Sequence, residues 1–540
     1  MYYTIVKSLL LFLIIDSALS QPNLQFNPFD WITYRKTGAI NSISFGDRYA
    51  YIGTQTGGVL RFNINSQRFE SPITRSQGLD GNMVTAVHYS SSGMLWVSTL
   101  ESLQYSLTAE GDWRIIKLAS LGIANRNYIN RIGDDGKDIW IDSSGILYRL
   151  DGMTGIVLET VVRQDRAIAW SSGLSGPIYD YSELLFNYTF LDGWMNSLNT
   201  ILSPDGENIR ITTLAENNFG HIMIGCEDGT FFFGDKNMRM LEPYRFGLAS
   251  NDVFTFDGKY SLWLGGRTSM LNGGLTYFDS DRNIYDHYYF DKIINLNPTP
   301  IFSSLDLKKD VLFGGEEKII MFNKKDAIWD ELYIPSFTRK SIVIDMVNID
   351  DEVWLATANG LMIINTISKK FFENDVTDII KNIPVYDLLY HKNLLFIATN
   401  SGIYIYDNKN DTFYEPETFG YTSKEFTLPS NQLRFTSIAK YRNEIYLASQ
   451  ESIIKFNFSN RSWSNAVSAD IYSGLEIKDI DVHKNIIFVA TVNGLIQYDI
   501  KDKIVQVFDY KFLGEINTMK VKASTVWLGT SEGMISYRYR

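Results

Sequence analysis

The side chains able to bind a metal or carry a proton are few and scattered. Histidine occurs five times, at His88, His221, His287, His391 and His483. No two stand at a metal-ligand spacing, and neither His-Glu-x-x-His nor Cys-x-x-Cys is present. His88 and His391 flank the turn before a central-strand pattern, where a solvated loop residue is expected. The lone Cys226 falls in the strand pattern Ile224-Gly225-Cys226 and reads as a small core residue, because no histidine motif announces a partner for it. Asp134-Asp135-Gly136-Lys137-Asp138 is rich in carboxylates but lacks the ligand spacing of a calcium loop. It also lacks the Ser-x-Asp-x-Gly-x-Thr-Trp order of an aspartate box, so it reads as a turn between strands. Gly265-Gly266 and Gly273-Gly274 lie in a hairpin and precede no helix, which leaves no phosphate loop. No catalytic residue, metal site or cofactor is expected from these runs.

Composition bounds the remaining classes. The chain has 540 residues, 45% hydrophobic and 14% aromatic, enough apolar material to exclude general disorder. Its net charge of −12 argues against a nucleic-acid partner, since phosphate neutralisation needs concentrated Lys and Arg. One cysteine excludes an intrachain disulfide framework. Lys7, the apolar run from Ser8 to Ile15 and the small-residue end Ala18-Leu19-Ser20 read as a signal peptide over 1–20, with cleavage before Gln21. That run is too short to cross a bilayer, and no other stretch is apolar enough. The mature chain is therefore expected to be exported without an integral membrane segment: periplasmic, cell-surface-associated or secreted.

The elements that hold these residues come from a repeat of about 42 residues. Val353-Trp-Leu-Ala-Thr-Ala-Asn-Gly-Leu361 matches Leu395-Phe-Ile-Ala-Thr-Asn-Ser-Gly-Ile403, Ile487-Phe-Val-Ala-Thr-Val-Asn-Gly-Leu495 and Val526-Trp-Leu-Gly-Thr-Ser-Glu-Gly-Met534. The anchors are Tyr51, Trp96, Trp140, Met223, Trp263, Leu312, Trp354, Phe396, Tyr446, Phe488 and Trp527, with room for a degenerate copy between Trp140 and Met223. A second spacing joins an Asn or Asp to a bulky residue six positions on: Asn63 to Phe69, Asp151 to Val157, Asp279 to Tyr285, Asn323 to Trp329, Asn365 to Phe371, Asp407 to Phe413, Asn457 to Trp463 and Asp499 to Val505. Period-two runs such as Ile403-Tyr-Ile-Tyr406 are strands, the glycines open hairpins, and Asp or Asn caps the following turn. Helical periodicity is confined to 375–383.

Four strands per unit in tandem predict an all-β chain of two β-propellers, about 12 four-stranded blades in all and about six in each. The last unit ends at Arg540 after its third strand, and Trp31-Ile-Thr-Tyr34 resembles the missing outer strand. These terminal strands are expected to pair and close a ring, with one propeller inserted in the other. A sequential pair, 21–300 followed by 301–540 with a boundary near 295–299, is the alternative.

These residues resemble the two-component regulator propeller repeat of bacterial sensor regions. The matching runs are Gly78-Leu79 through Val84 with Leu95-Trp-Val-Ser-Thr99, and Gly247-Leu248 through Val253 with Leu262-Trp-Leu-Gly265. In layout the chain also looks like the PorZ-like exported double propellers of the type IX secretion system. It departs from both in that no kinase region, linking sandwich or sorting domain is expected after the last repeat. The resemblance implies a propeller that is exported and serves as an envelope scaffold or sensor-like module, with a link to type IX secretion.

Binding residues are sought where the repeat breaks, because propellers use the loops at their faces while the strands are committed to packing. The segment from Trp170 to Trp194 concentrates aromatics, so Trp170, Tyr179, Tyr181, Tyr188 and Trp194 are candidates to contact a peptide, glycan or protein. The competing reading is a diverged blade with those rings in its core. The hairpin from Arg267 to Gly273 is enlarged as well. Two functions remain: a non-catalytic exported binder of protein, peptide or saccharide, or a propeller enzyme (lyase, glycoside hydrolase or quinone-dependent dehydrogenase) with a central-channel site assembled from several blades.

Overall fold

The computed structural model describes residues 27–540 except 109–110, 125, 165, 173–184, 260, 270–271, 283, 336–340, 423–425, 429–432, 473 and 540. The leader read at 1–20 lies outside the described residues, as do Tyr179 and Tyr181. Among the described residues no helix is long and apolar enough to cross a membrane.

The repeat folds into antiparallel sheets for reasons visible in each unit. All eight spaced Asn and Asp residues act as turn caps. Asn365 Oδ1 accepts the N–H groups of Ile367 and Ser368, Asp407 those of Lys409 and Asn410, and Asp499 those of Lys501 and Asp502. Asn63, Asp151, Asp279, Asn323 and Asn457 do the same at their turns. The residue six positions on starts or enters the outer strand, as Phe371 does opposite Ile364. All eleven anchors lie on the second strand of a sheet, and all except Trp527 are buried. The one short helix of the 375–383 region is Asp375–Ile379, capped by the Asn374 side chain.

Eleven sheets result among the described residues. In chain order they are blade 1 (40–73), blade 2 (84–117), blade 3 (131–161), blade 4 (208–244), blade 5 (252–289), blade 6 (303–333), blade 7 (343–372), blade 8 (385–414), blade 9 (435–468), blade 10 (477–508) and blade 11 (516–538). Blade 11 takes its outer strand from Trp31–Tyr34, which pairs antiparallel with Gly533–Arg538, Trp31 opposite Tyr537. The terminal strands thus close a sheet, as the sequence suggested. Gly533 enables the join: its φ is 119°, and a Cβ there would lie 2.2 Å from the Tyr34 carbonyl oxygen.

Inner strands show how the blades associate. Those of blades 5, 6, 7, 8, 9, 10 and 11 pack each on the next, and that of blade 11 packs back on blade 5, so seven blades close a circuit. Blade 1 packs on blade 2 and on blade 4, and blade 2 packs on blade 3. Among the described residues seven blades form the circuit and four the other group, where about six in each were expected. No twelfth sheet fills the stretch between Trp140 and Met223 among the described residues. The hairpin of Met195–Ser197 and Thr200–Leu202 instead pairs with the first half of Asn208–Glu216, whose second half pairs with His221–Cys226. Ala169–Trp170 adds a strand to the inner edge of blade 3, and Ser172 then bridges to Ile43 of blade 1.

One apolar cluster joins the two groups. Ile52, Phe62, Phe231 and Phe233 from blades 1 and 4 meet Leu262, Leu264, Phe278 and Tyr285 from blade 5, with Phe246 and Leu248 of the connector between them. Phe246 lies 4.8 Å from both Phe69 and Tyr285, ring to ring. The closing strand is held equally firmly: Trp31 is 2% exposed and stacks on Tyr537 at 3.9 Å.

Trp31→Ala should therefore destabilise the chain by about 3–5 kcal/mol, the usual cost of deleting a buried large aromatic. Denaturant unfolding checks this. A loss below about 1 kcal/mol would show that the ring closes without this strand.

Candidate functional site

Three constellations converge from separate blades, and the inner strands position all of them. The first lines the seven-blade ring. Six of its seven inner strands carry a β-bulge at the same place, and the residue after the bulge is Thr255, Asp345, Asp387, Ser437, Asp479 or Thr518. Every one bears an oxygen, and most accept an N–H from the next inner strand. Leu388 N–H donates to Asp345 at 2.9 Å, Ile438 N–H to Asp387 at 2.5 Å, Ile480 N–H to Ser437 at 3.1 Å and Met519 N–H to Asp479 at 2.6 Å. A second tier repeats the device: Val521 N–H donates to Asp481 and Asp306 N–H to Asp257, while Lys520 of blade 11 reaches Asp257 at 2.9 Å.

These carboxyls touch solvent yet have protein around them, as groups on a narrow channel wall do. Desolvation raises the Asp345 and Asp387 carboxyls, and at Asp387 the nearby Asp345 charge adds to the rise. Burial lifts Asp479 to about 7 against the N–H and hydroxyl bonds that lower it, and burial also raises Asp481.

The second constellation joins blades 2 and 3 to the strand across their inner edge. His88 Nε2 lies 2.8 Å from Asp134 Oδ2, and His88 Nδ1 lies 2.6 Å from Ser171 Oγ. Burial alone would raise the Asp134 carboxyl, but bonds from His88, Gly136 N–H and Ser91 hold it well below the usual carboxylate range. The carboxylate thus favours His88 with its proton on Nε2, which leaves Nδ1 to accept the Ser171 hydroxyl. His88 is 5% exposed, so it is no solvated loop residue: it stands within Val84–Tyr89, inside the closed edge of the blade. His391 is partly buried at the end of its inner strand, its Nε2 without a hydrogen bond.

The third is a cavity of about 390 Å³ at the seam of the seven-blade ring, where the connectors from the four-blade group arrive. Its wall comes from Lys36 and Asn251 of the connectors, Asp252, Phe254 and Arg267 of blade 5, and Glu515, Asn517 and Ser531 around blade 11. Arg267 donates twice to Asp252, at 3.1 and 2.8 Å, and covers the Phe254 ring, which stacks on Phe302 at 5.3 Å. Behind Lys36, burial together with Arg245 and Lys36 lowers His287 to about 3, and its neutral ring donates from Nε2 to the Gly247 carbonyl. The enlarged hairpin noted in the sequence contributes Arg267 and Thr268 to this cavity.

Three of the aromatics singled out by sequence, Trp170, Tyr188 and Trp194, are among the described residues. Trp194 is 9% exposed and meets Phe232 edge-on at 5.1 Å within the blade 4 core. Tyr188 packs against the same cluster. Trp170 lies on the inner edge of blade 3 beneath the Arg131 guanidinium, 4.3 Å from its ring. Cys226 is fully buried, and desolvation pushes its thiol well up. Asp135, in the turn beside Asp134, accepts the Trp140 indole N–H. Among the described residues no cluster of three or more His, Cys, Asp or Glu side chains is arranged to hold a metal ion.

No family model matches the chain, and no curated protein matches it. Solved structures of propeller type do. The extracellular domain of a one-component system from B. thetaiotaomicron is 13% identical with a TM-score of 0.42, over 92% of this chain and 70% of that one. PorZ, a surface component of the type-IX secretion system of Porphyromonas gingivalis, is 13% identical with a TM-score of 0.43, over 93% and 74%. The extracellular domain of a hybrid two-component system from B. thetaiotaomicron is 17% identical with a TM-score of 0.40, over 91% and 73%.

The channel carboxyls set a pH dependence. Folded Asp479 keeps its proton to about pH 7, whereas the unfolded side chain loses it near 3.8. Unfolding therefore releases a proton between those values, so stability falls as pH rises through that window and levels off above it. Asp479→Asn keeps an acceptor for Met519 N–H and removes the charge. It should flatten the slope between pH 4 and 7 and stabilise the chain on the order of 2 kcal/mol at pH 8. Thermal melts across that range decide it; a variant with an unchanged slope would place the proton elsewhere.

Proposed function

We propose that the chain is an exported double β-propeller that binds a peptide, saccharide or protein segment at the seam cavity, as an envelope scaffold or sensor-like module. The residues at 1–20 support export. The strand contacts support a division in which 40–244 is inserted between Trp31–Tyr34 and 252–538, rather than one near 300.

One observation carries the binding reading. The cavity draws its wall from blade 5, blade 11 and both connectors at once. A ligand there touches the ring's closure and the junction with the inserted group together, the placement a sensor-like module needs. The channel acids support binding over acid–base catalysis, because the carboxyls of the bulge tier and the tier beyond it each accept a backbone N–H. Screening the mature chain against peptide and glycan arrays should retain ligands that Phe254→Ala and Arg267→Ala weaken at least tenfold, while Ile367→Ser, in an exposed turn of blade 7, leaves them unchanged. Equal retention by all four proteins would remove the cavity as the site.

The hydrogen-bond chain Ser171–His88–Asp134 favours a second reading, catalysis. His88 Nδ1 is placed to take the Ser171 proton as the oxygen attacks an acyl carbon, and then to return it to the leaving alcohol or amine. Under that reading a fluorophosphonate probe labels Ser171, and His88→Gln abolishes the label. An unlabelled Ser171 in the native chain ends it.

A further inference from the structure

We infer that the seam cavity takes a ligand bearing a carboxylate, held by the Lys36 ammonium. This rests on the cavity being the binding site. Asp252 and Arg267 satisfy each other through two bonds. Glu515 lies 3.4 Å from Lys478 at the rim. Among the described residues, Lys36 is then the one cation of the wall whose ammonium meets no carboxylate, and its nearest aromatic, Tyr289, is 6.0 Å away.

The neutral groups lean the same way. Asn251 Oδ1 is occupied by the Lys36 N–H at 2.7 Å, which leaves the Asn251 amide N–H groups to donate. Ser531 Oγ accepts the Glu515 N–H at 3.0 Å, which leaves its hydroxyl proton to donate. Ser250 already donates to the Arg267 carbonyl, and Thr268 to the Asn272 carbonyl at 3.1 Å. Asn517 uses one amide N–H on the Val253 carbonyl at 2.9 Å, which leaves a second N–H to donate and its Oδ1 to accept. An ammonium that meets no carboxylate, neutral donors beside it and a rim carboxylate that already has a cation suit an anionic group. Phe254, stacked on Phe302, supplies an apolar face beside it.

A carboxylate reaches such a site from a sugar acid or from a peptide C-terminus. Calorimetric titration of the mature chain with galacturonate against galactose, and with N-acetyl-alanyl-alanine against its C-terminal amide, separates the two sources. One acid should bind, with its neutral twin at least tenfold weaker. Lys36→Met should erase that preference, Lys36→Arg should keep it, and both variants should melt as the native chain does. Added salt should weaken the acid and spare the neutral twin. Neutral twins binding as well as the acids, or neither acid binding at millimolar concentration, overturns the proposal. Neutral-ligand binding that Phe254→Ala removes and Lys36→Met spares would overturn the charge assignment and leave the cavity reading standing.

Discussion

Every four-stranded blade leaves its innermost strand with an edge that no fifth strand covers in most of the ring, and the N–H groups on that edge still need acceptors. An unpaired backbone group shut away from water is costly, and an open edge invites wrong pairing. This chain answers with side chains from the preceding blade. Asp345, Asp387, Ser437 and Asp479 each reach one position into the neighbouring strand, to Leu388, Ile438, Ile480 and Met519. The four-blade group uses the same contact with hydroxyls, Val87 N–H donating to Ser42 and Tyr89 N–H to Ser44. A recurrent bulge in the inner strand aims these side chains, so blade geometry and blade-to-blade adhesion are one feature.

The seam shows what happens where the pattern must join its own beginning. Between blades 11 and 5 no carboxylate of the bulge tier bridges the strands. Asn517 donates to the Val253 carbonyl, and Lys520 reaches the Asp257 carboxylate. The polarity of the contact is thus reversed, with the last blade donating. Two connectors also enter there, and Lys36 and Gly247 form an isolated bridge between them. A cavity opens where these substitutions meet. Its polar wall follows from the loss of the ordinary inter-blade contact.

Within one repeat the sequence was legible, and between repeats it was not. Turn caps such as Asn365 and Asp407 act two and three residues away, so their spacing announces them. Anchors such as Trp354 and Phe396 mark the second strands for the same local reason. The seven-and-four division depends on which inner strands touch, and nothing in a single unit encodes that. His88 and Asp134 escaped notice because they are 46 residues apart and each, taken alone, resembles a turn residue. Their pairing needs blades 2 and 3 side by side. A visible signal did exist for the channel: the residue just before an inner strand's Leu, Ile or Met core position is repeatedly Asp, Ser or Thr. It reads as strand polarity until the bulge is seen.

The channel chemistry also explains how this many acids sit close together without breaking the ring. Asp257 is neutralised by Lys520, which with the Asp306 N–H holds its carboxyl low against the desolvation that would raise it. Asp345 and Asp387 have no such cation among the described residues, and burial raises both carboxyls toward their neutral form. Asp479 takes the Ser437 hydroxyl and the Met519 N–H, and burial still keeps it protonated to about neutral pH. A hydroxyl at the same tier, as at Ser437, does the acceptor's work without this conflict. Three solutions to one requirement therefore stand around one ring: a cation, a carboxyl raised toward its neutral form and a hydroxyl. Each answers a backbone or side-chain donor, so the channel wall is accounted for by cohesion, and the chemistry left unanswered lies at the seam.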